Sequence, residues 1–252
     1  MMELLNQLKQ LRLEGMHQVL RGMQDSGDGE WESALPLLTR LVSAELEHRK
    51  DKKTVALAKR AKFRYGASVH SVMTGLDRNL DKNLLVRLSE GRWIRQGQNL
   101  LITGPTGAGK SYLASALGQQ ACQLGLKTLY YNCTKFWPQI RQSRARDRYE
   151  KEIKTISRCD LLILDDFALS KLEGPDRLTL LEILEDRWGR ASTVVISQRP
   201  LAAWYEVLGE PTVADAICDR LVHNAHVLAL RGPSMRRQKG MKTPTTENQP
   251  VA

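Results

Sequence analysis

The stretch NLLITGPTGAGKSYLASALG, residues 99–118, carries three kinds of local chemistry in succession. A short apolar run comes first, then a glycine-rich turn, then a segment rich in alanine and leucine that favours a helix. The turn, GPTGAGKS at 104–111, fits G-x-x-x-x-G-K-[ST] and sits after a strand and before a helix, as its chemistry requires. Gly104, Gly107 and Gly109 let the backbone bend so that its N–H groups point inward, with Pro105, Thr106 and Ala108 between them. Such a cradle suits phosphate oxygens. Lys110 would reach the terminal phosphates, the Ser111 hydroxyl would ligate Mg²⁺, and Tyr112 opens the helix beside them. The plain structural alternative is a glycine turn before an ordinary helix.

A phosphate loop needs a second strand whose tip holds the metal. LLILDDFALS, 161–170, runs four large aliphatic side chains into Asp165 and Asp166. Two adjacent carboxylates at the end of a buried run are costly unless they hold something. Asp165 reads as the metal-side acid and Asp166 as the residue that orients an attacking water, so ATP and Mg²⁺ are the implied ligands. Asp is shorter than the Glu usual at the second position, which leaves a solvated strand end as the other reading of Asp166.

Working outward, apolar runs recur at 99–104, 127–133, 159–166, 193–198 and 226–230, with helical segments between most of them. That alternation predicts a parallel sheet covered by helices. Before residue 98 no β-like alternation occurs. Residues 3–20 read as helix interrupted at Gly15, and 31–64 as a second helical stretch that turns strongly basic. The expected architecture is an α/β phosphate-loop NTPase domain in three layers over residues 71–240. A small all-helical domain precedes it at 1–70, and a polar, Pro-containing tail expected to be disordered follows at 241–252.

The 252 residues carry a formal net charge of +10, which points to a polyanionic partner such as nucleic acid or else to a merely soluble basic protein. Cys122, Cys133, Cys159 and Cys218 are scattered without metal-ligand spacing and read as core residues of a reducing compartment. With no apolar run near 18 residues and no signal-like N-terminus, the expectation is a cytoplasmic protein.

Beyond these motifs, WIRQGQNLLITGPTGAGKSYLASALG, LLILDDFAL, TVVISQRPLAAW and TVADAICDRLVHNAHVLALRGPSMR together resemble the IstB-like ATPases. These are the transposition helpers of bacterial insertion sequences, similar to DnaC-type helicase loaders within the AAA+ superfamily. The resemblance covers nearly the whole chain, and the last stretch is its most specific part. It implies a sensor role near the γ-phosphate for Gln198 and an arginine finger reaching a neighbouring subunit's nucleotide for Arg220. It also implies a second sensor at Arg236, and places Trp93 and Ile94 where they would flank the base. The plain readings are a strand-closing polar residue at Gln198, a surface ion pair with Asp219 at Arg220, a tail charge at Arg236 and a core aromatic at Trp93. Ala168 stands where the family often has Gly, and Arg199 is an extra cation after Gln198. An Asp at 166 is commoner in the transposition branch than among loaders.

Two basic runs are candidates for duplex DNA. HRKDKKTVALAKRAKFR, 48–64, holds eight Lys/Arg against one acid: Arg49, Lys50, Lys52, Lys53, Lys59, Arg60, Lys62 and Arg64. On a helix these crowd one broad face suited to phosphate contact. RQSRARDR, 141–148, adds Arg141, Arg144, Arg146 and Arg148. Nothing resembles a base-reading motif, so binding is expected to be largely sequence-independent. The implied partners are double-stranded DNA, further copies of the chain with shared active sites, and a transposase. A helicase loader, a small-molecule kinase and a non-catalytic DNA-coating protein are the rival readings.

Overall fold

The computed structural model describes residues 2–26 and 34–235. Arg236 and the tail expected at 241–252 lie outside the described residues. The chain divides into two compact units between Leu57 and Ala58, earlier than the boundary expected at residue 70.

The first unit is helical: α1 (Met2–Gln10), α2 (Glu14–Ser26) and most of α3 (Ala34–Ala61), which runs on past the division. Its core joins Leu5 and Leu8 to Leu20 and Leu41. The expected interruption at Gly15 is corrected by the structure. The break falls at Leu11–Leu13, where Arg12 adopts a left-handed φ of 58°, and Gly15 lies inside α2. Gly15 is there because α3 comes too close for a side chain: a Cβ would meet the Ala44 carbonyl oxygen at 2.4 Å. Its N–H donates to Glu45 Oε2 at 2.9 Å, which satisfies one of the orphan donors of the first turn of α2.

The second unit begins with the end of α3 and continues through α4 (Lys82–Ser89) and the short α5 (Arg92–Arg95). Then come β1 (Asn99–Thr103), α6 (Lys110–Gln123), β2 (Thr128–Asn132), α7 (Cys133–Arg144), α8 (Tyr149–Ser157) and β3 (Leu161–Phe167). The rest is α9 (Gly174–Arg187), β4 (Ser192–Ser197), α10 (Trp204–Leu208), α11 (Pro211–Val222) and β5 (Ala225–Ala229). The segment after α3 belongs here because Phe63 packs edge-on to Tyr130 of β2, with ring centroids 6.3 Å apart.

All five expected strands form, and all pair in parallel in the order β2-β3-β4-β1-β5. Alternation along β3 explains the three layers. Leu161 and Ile163 face α4–α6 on one side, while Leu162 and Leu164 face α7–α11 on the other. The strand order matters more than the strand count. With β4 between β1 and β3, the loop after β1 and the acids at the tip of β3 flank the tip of β4, at the carboxyl ends of the strands.

Candidate nucleotide site

The loop after β1 is built by backbone conformations open mainly to glycine. Gly104, Gly107 and Gly109 have φ of 138°, 84° and 89°. Lys110 opens α6, and its ammonium donates back to the carbonyls of Gly104 (2.7 Å) and Pro105 (2.9 Å), so the cation is held across the loop it would share with a phosphate chain. Ala108 is fully buried beneath the turn, while Pro105 and Thr106 are exposed at its rim. The Tyr112 ring lies against that of Tyr65.

Asp165 follows Leu161 and Ile163 on the face of β3 that α6 covers, and it is wholly buried. Its charge is met by several donors. Ser111 Oγ donates to Oδ1 at 3.0 Å and the Asp166 N–H to the same oxygen at 2.9 Å. Oδ2 accepts from the Tyr130 hydroxyl and from Arg64 Nη1 at 3.3 Å. Burial, and next the charge of Asp165, push the Tyr130 phenol well above its ordinary value of 10, so it stays a donor. The Ser111 and Asp165 oxygens converge as Mg²⁺ would require, two hard donors leaving the remaining positions to phosphate and water.

Asp166 cannot follow the strand's alternation, because β3 bulges between Leu164 and Phe167 and Asp166 takes a φ of 56°. The bulge turns its carboxylate beside Asp165, where Asn132 Nδ2 donates to Oδ2 at 2.6 Å and Arg64 Nη1 lies 3.2 Å away. Ala168 also has a φ of 56°, which gives the departure from Gly there a physical cost of about 1–2 kcal/mol. Asp166 and Ala168 thus place two strained backbone positions at the tip of β3. Gln198, at the tip of β4, accepts from Thr106 Oγ1 at 2.6 Å and so ties that tip to the phosphate loop.

A glycine loop, a lysine folded over it, a Ser–Asp pair and a restrained second acid at one end of a parallel sheet make a nucleotide site. The profile of the family described as "IstB-like ATP binding protein" matches residues 6–243. The chain belongs to this family. Among its relatives, an insertion-sequence ATP-binding protein of Sinorhizobium fredii (strain NBRC 101917 / NGR234), y4pL, is 41% identical over 239 residues, covering 95% of this chain and 98% of that protein. The ATP-binding protein of insertion sequence IS1162 from Pseudomonas fluorescens is 39% identical over 197 residues, 78% of this chain and 85% of that one. The fold is similar to the DnaC helicase loader, with a TM-score of 0.55 at 16% identity, covering 66% of this chain and 98% of that one. It is also similar to the replication initiator DnaA bound to AMPPCP and single-stranded DNA, with a TM-score of 0.58 at 14% identity over 72% and 56% of the two chains.

Other residues expected to act in this IstB-like protein stand elsewhere. Trp93 and Ile94 are corrected to core residues: both are buried among Leu85 and Leu88, and their carbonyls accept from Ser192 at the start of β4, at the end of the sheet opposite the loop. Arg220, in the last turn of α11, is at that same far end, where its carbonyl accepts from Asn99 at the start of β1. The length of β1 puts it roughly 15 Å from its own phosphate loop. Its guanidinium pairs with Glu185 at 2.8 Å, with Asp219 only at 3.9 Å, and it borders a cleft of about 290 Å³ shared with Asn99, Trp188 and His223.

Within the basic runs the structure separates cations by their partners. Arg64 leaves the first run for the acids. Arg49 pairs with Glu45 at 2.6 Å, while Lys50, Lys52, Lys53, Lys59, Arg60 and Lys62 are exposed. In the second run, Arg141 pairs with the buried Asp176 at 2.5 Å, and Arg144 donates to Thr179 at 2.7 Å and stacks on Tyr149. Arg146 and Arg148 are exposed.

Asn132 and Tyr130 are the site residues that sequence reasoning missed. Both sit on β2, whose register sets Asn132 beside Asp165, and a polar residue ending a strand next to the acidic one was the available signal.

Proposed function

We infer that this IstB-like chain is a Mg²⁺-dependent ATPase that assembles on duplex DNA and assists a transposase of its insertion sequence. The observation that carries the ATPase reading is the convergence of Ser111 with Asp165 and of Asn132 with Asp166 beside the Lys110 loop. The backbone N–H groups of the loop and Lys110 would hold the phosphate chain, and Ser111 and Asp165 would hold Mg²⁺. Bound Mg²⁺ would draw charge from the phosphate oxygens. Asp166, steadied by Asn132, would orient a water towards the terminal phosphate, with Gln198 beside it. Arg236 belongs to this proposal as a second sensor on the strength of the family resemblance alone.

Arg220 cannot serve its own loop from the far end of the sheet, which supports its use by a neighbouring copy. The exposed lysines and arginines of α3 support DNA binding through phosphates. Insertion-sequence relatives near 40% identity favour transposition over helicase loading, since the likeness to DnaC is one of fold at 16% identity. Purified protein with Mg²⁺ and ATP should release phosphate, and faster when duplex DNA is added. No turnover under those conditions sinks the reading.

A further inference from the structure

Arg78 is a buried cation whose partners among the described residues are incomplete, and it lies against the phosphate loop. Only 8% of the residue is exposed. Nη2 donates to the Ala108 carbonyl at 2.7 Å, and Nη1 reaches the thioether of Met235 at 2.6 Å, a weak acceptor. Nε is buried with no hydrogen-bond partner among the described residues, and no carboxylate among them pairs with the side chain. A guanidinium taken out of water without a counter-charge is costly.

Arg187 shows how the same fold treats an arginine whose role is structural. It is more deeply buried, yet its donors reach Thr193 Oγ1 and the carbonyls of Ile156, Cys159 and Ser192. Arg78 has no such saturation.

Its place is also determined by the backbone. Gly75 and Leu80 pair across a tight loop, the Arg231 N–H donates to the Arg78 carbonyl, and Asn79 Nδ2 donates to the Ala229 carbonyl at the end of β5. These bonds pin the loop beside β1's neighbour, so the guanidinium lies over the glycine that precedes Lys110. A Cβ on Gly109 would come within 3.2 Å of Nη2.

We propose that Arg78 is a second cationic ligand, beside Lys110, for the phosphate chain of a bound nucleoside di- or triphosphate. The anion supplies the missing counter-charge and offers Nε and Nη1 a stronger acceptor than a thioether. This rests on the nucleotide-binding reading above and adds a residue to it.

The test is equilibrium binding by calorimetry to the full-length protein, with ADP, ATP and inorganic pyrophosphate as probes and thermal melts of the nucleotide-free variants alongside. Arg78→Ala should weaken ADP and pyrophosphate by about 10–100-fold, the size of a lost charged hydrogen bond, and Arg78→Lys should recover part of it. The nucleotide-free melting temperature of Arg78→Met, which keeps the volume and removes the charge, should equal or exceed that of the wild type. A purely structural arginine predicts the reverse: a lower melting temperature for Arg78→Met, with ADP affinity of the folded protein within about twofold of wild type. That result overturns the assignment. So does a variant that keeps pyrophosphate affinity and loses only that for ADP, since the arginine would then be bonded to the base or sugar. If the wild type itself binds neither ADP nor ATP, the nucleotide reading has failed before Arg78 is tested.

Discussion

Arg64 Nη1 stands 3.3 Å from Asp165 Oδ2, so a guanidinium lies on the carboxylate that would ligate Mg²⁺, and its reach to Asp166 at 3.2 Å joins the two acids. The same residue closes the basic run that begins on α3. Without a cation the two adjacent carboxylates would repel each other, and Arg64 relieves that repulsion. The pair is tempered by water, because the Arg64 side chain is 37% exposed.

Metal and guanidinium would therefore compete for Asp165. Arg64→Ala should lower the Mg²⁺ concentration at which nucleotide binding is half-saturated, by about 3–10-fold if the ion pair contributes on the order of 1 kcal/mol. A Mg²⁺ titration of ADP binding measures this directly. An unchanged midpoint would mean that Arg64 swings clear of the metal at no cost.

Asn132 and Asp166 make a second testable pair. Asp166→Asn should leave ATP binding near normal while slowing hydrolysis at least about 100-fold, as expected for losing a general base or water-orienting group. Asn132→Ala frees the same carboxylate from its amide partner and should alter turnover with little effect on ATP affinity. Single-turnover hydrolysis beside equilibrium binding separates the two. Normal turnover in Asp166→Asn would return that residue to a solvated strand end.

The three central strands could be read from the sequence because they are buried on both faces, and continuous apolar runs such as Leu161–Leu164 have few other uses. Asp165 was visible because it ends such a run, and Lys110 because it closes a glycine-rich motif of fixed spacing. Asn132 ends its strand on a polar residue, but its part and that of Tyr130 depend on β2 pairing with β3 in a register that no local pattern states. The same holds for Arg141 and Arg144, which look like free cations until α9 is packed beside them. Gly15 misled for a related reason: a glycine that allows close approach of two helices looks, along the chain, like one that ends a helix.

That partition of the basic runs gives opposite expectations for two sets of substitutions. Replacing Lys52, Lys53, Lys59 and Arg60 together by Ala should weaken binding to all duplex sequences alike. It should also reduce the log–log salt slope by about one unit for each DNA phosphate no longer neutralised. Arg141→Ala should instead lower the melting temperature, because burial already raises the Asp176 carboxyl and Arg141 is the nearest of the cations opposing that rise. Its salt slope should stay as in the wild type. Affinity against salt concentration and a thermal melt for each variant decide the matter. An unchanged slope in the fourfold variant would make the α3 face merely solvated.

Arg220 allows the sharpest test, since its proposed work is done outside its own subunit. At the far end of β1 it is remote from its own loop, and its present partner is Glu185, an exposed carboxylate that a neighbour's phosphates would replace. A guanidinium supplied in trans stabilises charge on the transferred phosphoryl group and is worth roughly 10³–10⁵-fold in rate where it has been measured. Arg220→Ala should therefore bind ATP nearly as the wild type does and fail to hydrolyse it. Lys110→Ala should fail because the phosphate chain loses its loop cation, while still offering an intact Arg220 to a neighbour. Mixing the two inactive proteins on duplex DNA would create some interfaces that pair an intact loop with an intact arginine, and phosphate release should partly return. A surface ion pair with Glu185 predicts no rescue. If the two variants co-assemble and the mixture stays inactive, the shared active site is wrong, and hydrolysis has no reason to depend on assembly.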